Sequence, residues 1–136
     1  MNKYMEFYTR HNAYQIDLHS HVIRKDGEVI AEGNIFVHEL LMGYPAWIII
    51  TPNNEYCPPI YLKTNIVQSV LPEYEVFDGV PIERTYFQIR YQEKEKLRVF
   101  RCAAMDSIQA TLIFRLSHHE NIRGIFNESG LLIKKA

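Results

Sequence analysis

"YQIDLHSHVIRKDGEVIAEGNIFVHE", residues 14–39, is the stretch whose reading decides the fold class. Its first half alternates. Tyr14, Ile16, Leu18, Ser20 and Val22 fall on one side of an extended chain, and Gln15, Asp17, His19, His21, Ile23 and Lys25 fall on the other. Asp26–Gly27 follows, a pair suited to the positive φ angles of a two-residue type I′ turn. The second half then returns. With Lys25 opposite Glu28, counting sets Val22 against Ala31, Leu18 against Ile35 and Ile16 against Val37, a consistent apolar face. The opposite face sets His21 against Glu32, His19 against Asn34, Asp17 against Phe36 and Gln15 against His38. A β-hairpin of this length at the start of the chain predicts an antiparallel protein.

The rest of the sequence extends that reading. "AWIIIT" (46–51) is a continuous apolar run, expected as a strand buried on both faces. "IYLKTNIVQSVL" and, more weakly, "EYEVF" read as strands, and Asp78–Gly79 as another turn. "RTYFQIRYQ" and "LRVFRCA" form a second hairpin around "EKEK", with its register left open between loop lengths. "QATLIFRL" (109–116) alternates as a strand would, although Asp106 and Gln109 also match a helix start. "SHHE" (117–120) matches a capping box, so a helix is expected with Ser117 as its N-cap, Ile122, Ile125 and Phe126 on its apolar face and Gly130 at the C′ position. "LLIKK" closes the chain as a short strand or tail. The expected fold is mainly β (α+β): a curled antiparallel sheet or small barrel of about seven or eight strands with one C-terminal helix, in a single globular domain over residues 1–136.

Composition narrows the function classes. The net charge is −1, with 15 Lys and Arg against 16 Asp and Glu, so no global field draws in bulk nucleic acid or an anionic membrane. No run of apolar residues is long enough to span a bilayer as a helix, and the N-terminal residues lack the apolar core of a signal peptide. Cys57 and Cys102 form no C-x-x-C and are expected as reduced, buried thiols in a cytoplasmic protein. Phosphate-loop, dinucleotide-fingerprint, nucleophile-elbow and H-E-x-x-H patterns are all absent from the sequence.

Four groups of residues carry candidate chemistry. Asp17, His19 and His21 share a strand face if the hairpin is regular, with Glu32 opposite and Asn34 and His38 nearby. Imidazole and carboxylate together suit a divalent metal. "DLHSH" resembles the first metal motif of the polymerase-and-histidinol-phosphatase hydrolases, in which a strand-borne H-x-H binds metal. The resemblance implies His19 and His21 as ligands. It covers five residues, and the further His and Asp motifs of that family have no counterpart downstream. The paired His118 and His119 form a second group. Tyr86, Arg90, Tyr91 and Arg98 on the second hairpin form a third, able to hold a ligand or a phosphate. Glu73 and Glu75 form a fourth, a carboxylate pair.

The leading expectation is a non-catalytic binding protein. It would engage a protein partner or small ligand through a Tyr/Arg-rich β surface, and would form a homodimer. A metal-binding protein or metal-dependent hydrolase centred on Asp17, His19, His21 and Glu32 is the first alternative. A phosphate or nucleotide binder using Arg90 and Arg98 is the second.

Overall fold

In the computed structural model the described residues are 3–71 and 74–135, and the chain divides into two compact units, Met1–Ile82 and Glu83–Ala136. Glu73, half of the expected carboxylate pair, lies outside the described residues. The fold is mainly β, with three antiparallel sheets and a single α-helix among the described residues. None of the three sheets closes into a barrel.

The first unit holds ten strands: β1 (Tyr4–Tyr8), β2 (Ala13–Asp17), β3 (Val22–Lys25), β4 (Glu28–Glu32), β5 (Asn34–Leu40), β6 (Pro45–Thr51), β7 (Ile60–Ile66), β8 (Ser69–Leu71), β9 (Val76–Phe77) and β10 (Val80–Pro81). They form two five-stranded sheets, ordered β4-β3-β2-β1-β8 and β10-β9-β5-β6-β7. Both contribute to one core. Met5, Phe7, Tyr14, Ile16 and Ile23 come from the first sheet, and Val37, Leu40, Ala46, Ile48 and Ile50 from the second. Within β1, β2 and β6 these are alternate residues, as the two-residue period requires of a sheet with one buried face, while in β5 a bulge between Val37 and Glu39 spaces Val37 and Leu40 three apart. The rings of Phe7 and Tyr14 face each other across β1 and β2, 4.8 Å apart and nearly parallel.

Residues 14–39 therefore do not form one long hairpin. Two breaks divide them. Leu18–His21 is a turn, so β2 pairs with β3 through Ile16–Ile23 and Asp17–Val22. Gly33 then ends the β3–β4 hairpin and passes the chain to the other sheet, where β5 pairs with β6 and β9. The Asp26–Gly27 turn is as expected: φ is positive at both residues, and Lys25 pairs with Glu28. A bulge between Ile23 and Arg24 then shifts the register, so Ala31 faces Ile23 and Glu32 faces Val22. Val22 with Ala31, Leu18 with Ile35 and Ile16 with Val37 are not pairs.

Gly33 explains the switch of sheets. Its φ is +148°, and a Cβ built there would stand 2.4 Å from the Thr51 carbonyl oxygen. Only a residue without a side chain lets β4 turn this closely past the end of β6. The apolar run in β6 is also corrected. Ala46, Ile48 and Ile50 are buried, but Trp47 between them is 38% exposed, so one face of the strand is buried rather than two.

The second unit has the strands β11 (Thr85–Glu93) and β12 (Lys96–Ala104), then α1 (Ser107–Arg115), then β13 (Asn121–Asn127) and β14 (Leu132–Lys135). The sheet order is β12-β11-β13-β14. Lys94 and Glu95 form a two-residue turn, and Glu93 pairs with Lys96, which settles the open register. The helix lies one segment earlier than expected. Asp106 is its N-cap, with its carboxylate accepting from the Gln109 backbone N–H at 2.8 Å, while Gln109 Oε1 accepts from Met105 N–H at 2.6 Å. Ser117–Phe126 is not a helix: its second half is strand β13.

Helix α1 packs on β12 and β11. Ala110, Ile113 and Phe114 are buried there, spaced as one helical face. The Phe114 ring lies 4.9 Å from Tyr91, 5.4 Å from Phe100 and 4.8 Å from His118, the last nearly parallel. Deeply buried aromatic side chains of this kind contribute about 3 kcal/mol or more each.

Candidate functional site

Asp17, His19 and His21 do not form a strand face. Asp17 ends β2, and its Oδ1 accepts from the backbone N–H groups of His19 at 3.0 Å and Ser20 at 2.9 Å. This is an Asx turn, which reverses the chain within four residues. His21 closes it at φ +59°, and its carbonyl accepts from the Gly33 N–H at 3.0 Å. The backbone donors hold the Asp17 carboxyl below the usual range. The Ser20 N–H contributes most; desolvation opposes it, and the Ser20 hydroxyl and His19 add to the lowering. His38 lies on the other sheet, its ring 4.5 Å from Trp47 and its Nδ1 3.6 Å from Asp78 Oδ1. Among the described residues, no three His, Cys, Asp or Glu side chains come close enough to hold a metal ion.

His118, Glu75 and the two cysteines are placed as follows. His118 is stacked on Phe114, and its Nδ1 is 2.8 Å from Ser117 Oγ. Glu75 is buried, and its Oε2 accepts from the Met42 N–H at 3.0 Å, which ties β9 to the end of β5. Cys57 is exposed rather than buried, and Cys102 is half-buried.

The four residues of the second hairpin separate. Phe87, Ile89 and Tyr91 point to the helix side of the sheet and are buried. Arg98 pairs with Tyr91, whereas Arg90 pairs with Val99. Cross-strand partners share a face. Arg90 and Tyr86 thus lie on the side away from α1, and Tyr91 and Arg98 on the side that carries it. Arg98 also pairs with Glu93 at 3.3 Å.

On the side away from α1, Arg90 lies over the Phe126 ring with its guanidinium carbon 4.0 Å from the centroid. Tyr86 is 59% exposed, Val99 48% and Leu97 71%. Arg101 belongs to the same row through its partner Gln88. The result is an open sheet face that mixes aliphatic, aromatic and guanidinium groups.

The chain matches no protein-family model, no curated protein and no solved structure. Function therefore rests on what these surfaces can bind. No helix among the described residues is long and apolar enough to cross a membrane.

A second surface of this unit has no counterpart in the sequence reading. A cleft of about 740 Å³ opens between α1 and the strands β13 and β14. Arg115, Arg123 and Lys134 line it. The signal that locates them is charge by segment. Residues 83–136 carry ten Lys and Arg against six Asp and Glu, a net charge of +4. Residues 1–82 carry five against ten, a net charge of −5. The overall −1 hides both.

Proposed function

We propose that the protein is a non-catalytic binding protein. Its second unit engages an acidic protein partner through the open face of the β12-β11-β13-β14 sheet. The observation that carries this reading is Arg90, held 4.0 Å over Phe126 on that face. A guanidinium stacked on a ring loses less freedom when it pairs with a carboxylate, and Arg and Tyr are the side chains most often dominant in interfaces. Leu97 and Val99 beside it supply apolar area, and the +4 charge of the unit favours an acidic partner.

A photo-crosslinking side chain at position 99, with a control at Tyr56, tests this in cells. The expected result is one discrete adduct from position 99 that is absent from position 56 and at least about tenfold weaker in Arg90→Glu. A second copy of the chain in that adduct makes the partner a homodimer. Identical adducts from both positions, or no effect of Arg90→Glu, overturn the reading.

A further inference from the structure

We infer that the cleft between α1 and the strands β13 and β14 binds a phosphorylated small molecule with a flat apolar body. This goes beyond the proposed protein partner, because the cleft is built from α1, β13 and β14, whereas the open face centres on β11 and β12; Arg123, bonded to Gln92 opposite Leu97, stands at the border of the two. The helix explains why a cleft exists. It packs on β12 and β11, and leaves the inner side of β13 and β14 less covered. A volume near 740 Å³ falls within the range of sites for drug-sized ligands.

The charged side chains that line the cleft are all cationic, while Glu120, whose carbonyl Arg115 bonds, carries a buried carboxylate oxygen with no hydrogen-bond partner. The lining includes Arg115, Arg123 and Lys134 and no carboxylate. Among the described residues, no carboxylate forms an ion pair with any of the three. Both guanidiniums are nonetheless held in place, by neutral acceptors. Arg115 Nη1 donates to the Glu120 carbonyl at 2.7 Å, and its guanidinium lies 5.2 Å from the Phe114 ring. Arg123 donates from Nε at 3.1 Å and Nη2 at 2.6 Å to Gln92 Oε1. A neutral acceptor fixes the geometry of a guanidinium without cancelling its charge. The remaining donors stay available for an anion.

Arg123 owes its place to a break in the strand. Ile125 pairs with Ile89 and Ile122 with Tyr91, and the register shifts between them. Arg123 is the extra residue of this bulge, the kind of irregularity that re-aims a side chain.

The ligand class follows from the lining. Three cations exceed what a single carboxylate balances, whereas a phosphomonoester carries nearly two negative charges at neutral pH and three terminal oxygens. Asn121 adds an amide at the rim. The Thr111 hydroxyl donates to the Ser107 carbonyl at 2.9 Å, so toward a ligand it acts as an acceptor. Ile125, buried, and Ile122, half-buried, give the cleft apolar wall. That wall suits a ring or hydrocarbon body attached to the phosphate.

Phenyl phosphate and inorganic phosphate serve as probes, titrated into the ¹⁵N-labelled full chain at constant ionic strength. Saturable amide shifts are expected at Thr111, Arg115, Asn121, Ile122 and Arg123. Phenyl phosphate should bind about tenfold tighter than inorganic phosphate. Arg123→Gln and Lys134→Gln should each weaken it about tenfold, while Lys96→Gln, an equal loss of charge in the hairpin turn, leaves it unchanged. The unperturbed remainder of each spectrum reports that the variant is folded, and Lys134→Gln carries the test if Arg123→Gln does not fold. Shifts that follow ionic strength alone, equal affinity for the two probes, or an equal loss in Lys96→Gln overturn the inference.

Discussion

At the scale of single residues, Asp17 shows how a motif that looks like metal chemistry serves the backbone instead. Its carboxylate accepts two turn N–H groups, and that arrangement lowers its pKa. A lowered folded-state value stabilises the fold above the ordinary aspartate pKa, and that contribution disappears as pH falls through the lowered value. Asp17→Asn keeps a carbonyl acceptor but cannot ionise. The variant should be less stable than wild type at pH 7, and the gap should close as pH falls below the ordinary aspartate range of about 4. Urea unfolding at a series of pH values measures this. A gap that stays constant with pH would assign the turn to something other than the charged carboxylate. Alternation alone did not locate the turn, because D-L-H-S-H satisfies a two-residue period whether or not the chain reverses. The readable signal was Asp17 itself, a residue whose side chain caps turns by accepting from backbone N–H groups just downstream.

At the scale of elements, turns with obligatory positive φ were legible and phase changes were not. Asp26–Gly27 and Asp78–Gly79 both sit where the sequence puts them, because few other residue pairs tolerate those angles. The helix was displaced because two competing patterns each satisfied a local rule. In "QATLIFRL" Ala110 and Phe114 are four apart, which fits a strand face and a helix face equally. In "ENIRGIF" Ile122 and Ile125 are three apart, which reads as helical. The bulge at Arg123 brings both isoleucines to the inner side of a strand, so the spacing arises from a register shift. Packing against Tyr91 and Phe100 then decides for α1, and no local rule contains that information. The two capping patterns make opposite predictions. Asp106→Ala should cost about 1 kcal/mol in urea unfolding followed by circular dichroism, whereas Ser117→Ala should change stability by less than about 0.5 kcal/mol. The reverse order would return the helix to the later segment.

At the scale of the whole molecule, the near-neutral charge was accurate as a sum and misleading as a guide to partners. The β class followed from composition and alternation. The three-sheet arrangement did not, because the switch at Gly33 depends on a close approach to Thr51, far away in sequence. The candidate site was missed for a related reason. Arg115, Arg123 and Lys134 come from three different elements, and no motif spacing joins them. What the sequence did contain is the segmental asymmetry of −5 and +4. Adsorption to a charged surface responds to local potential rather than to net charge, within roughly 10 Å at 0.1 M salt. At pH 7 and low salt the protein should therefore be retained on a cation exchanger despite its net −1, and should also be retained on an anion exchanger. The double variant Arg115→Gln with Arg123→Gln should elute from the cation exchanger at lower salt and from the anion exchanger at higher salt. Passage of the wild-type protein straight through the cation exchanger would mean that the basic residues of the second unit do not act as a coherent surface. The phosphate cleft would then lose its electrostatic basis, while the Arg90–Phe126 face, which rests on stacking and apolar exposure as well as charge, would keep most of its own.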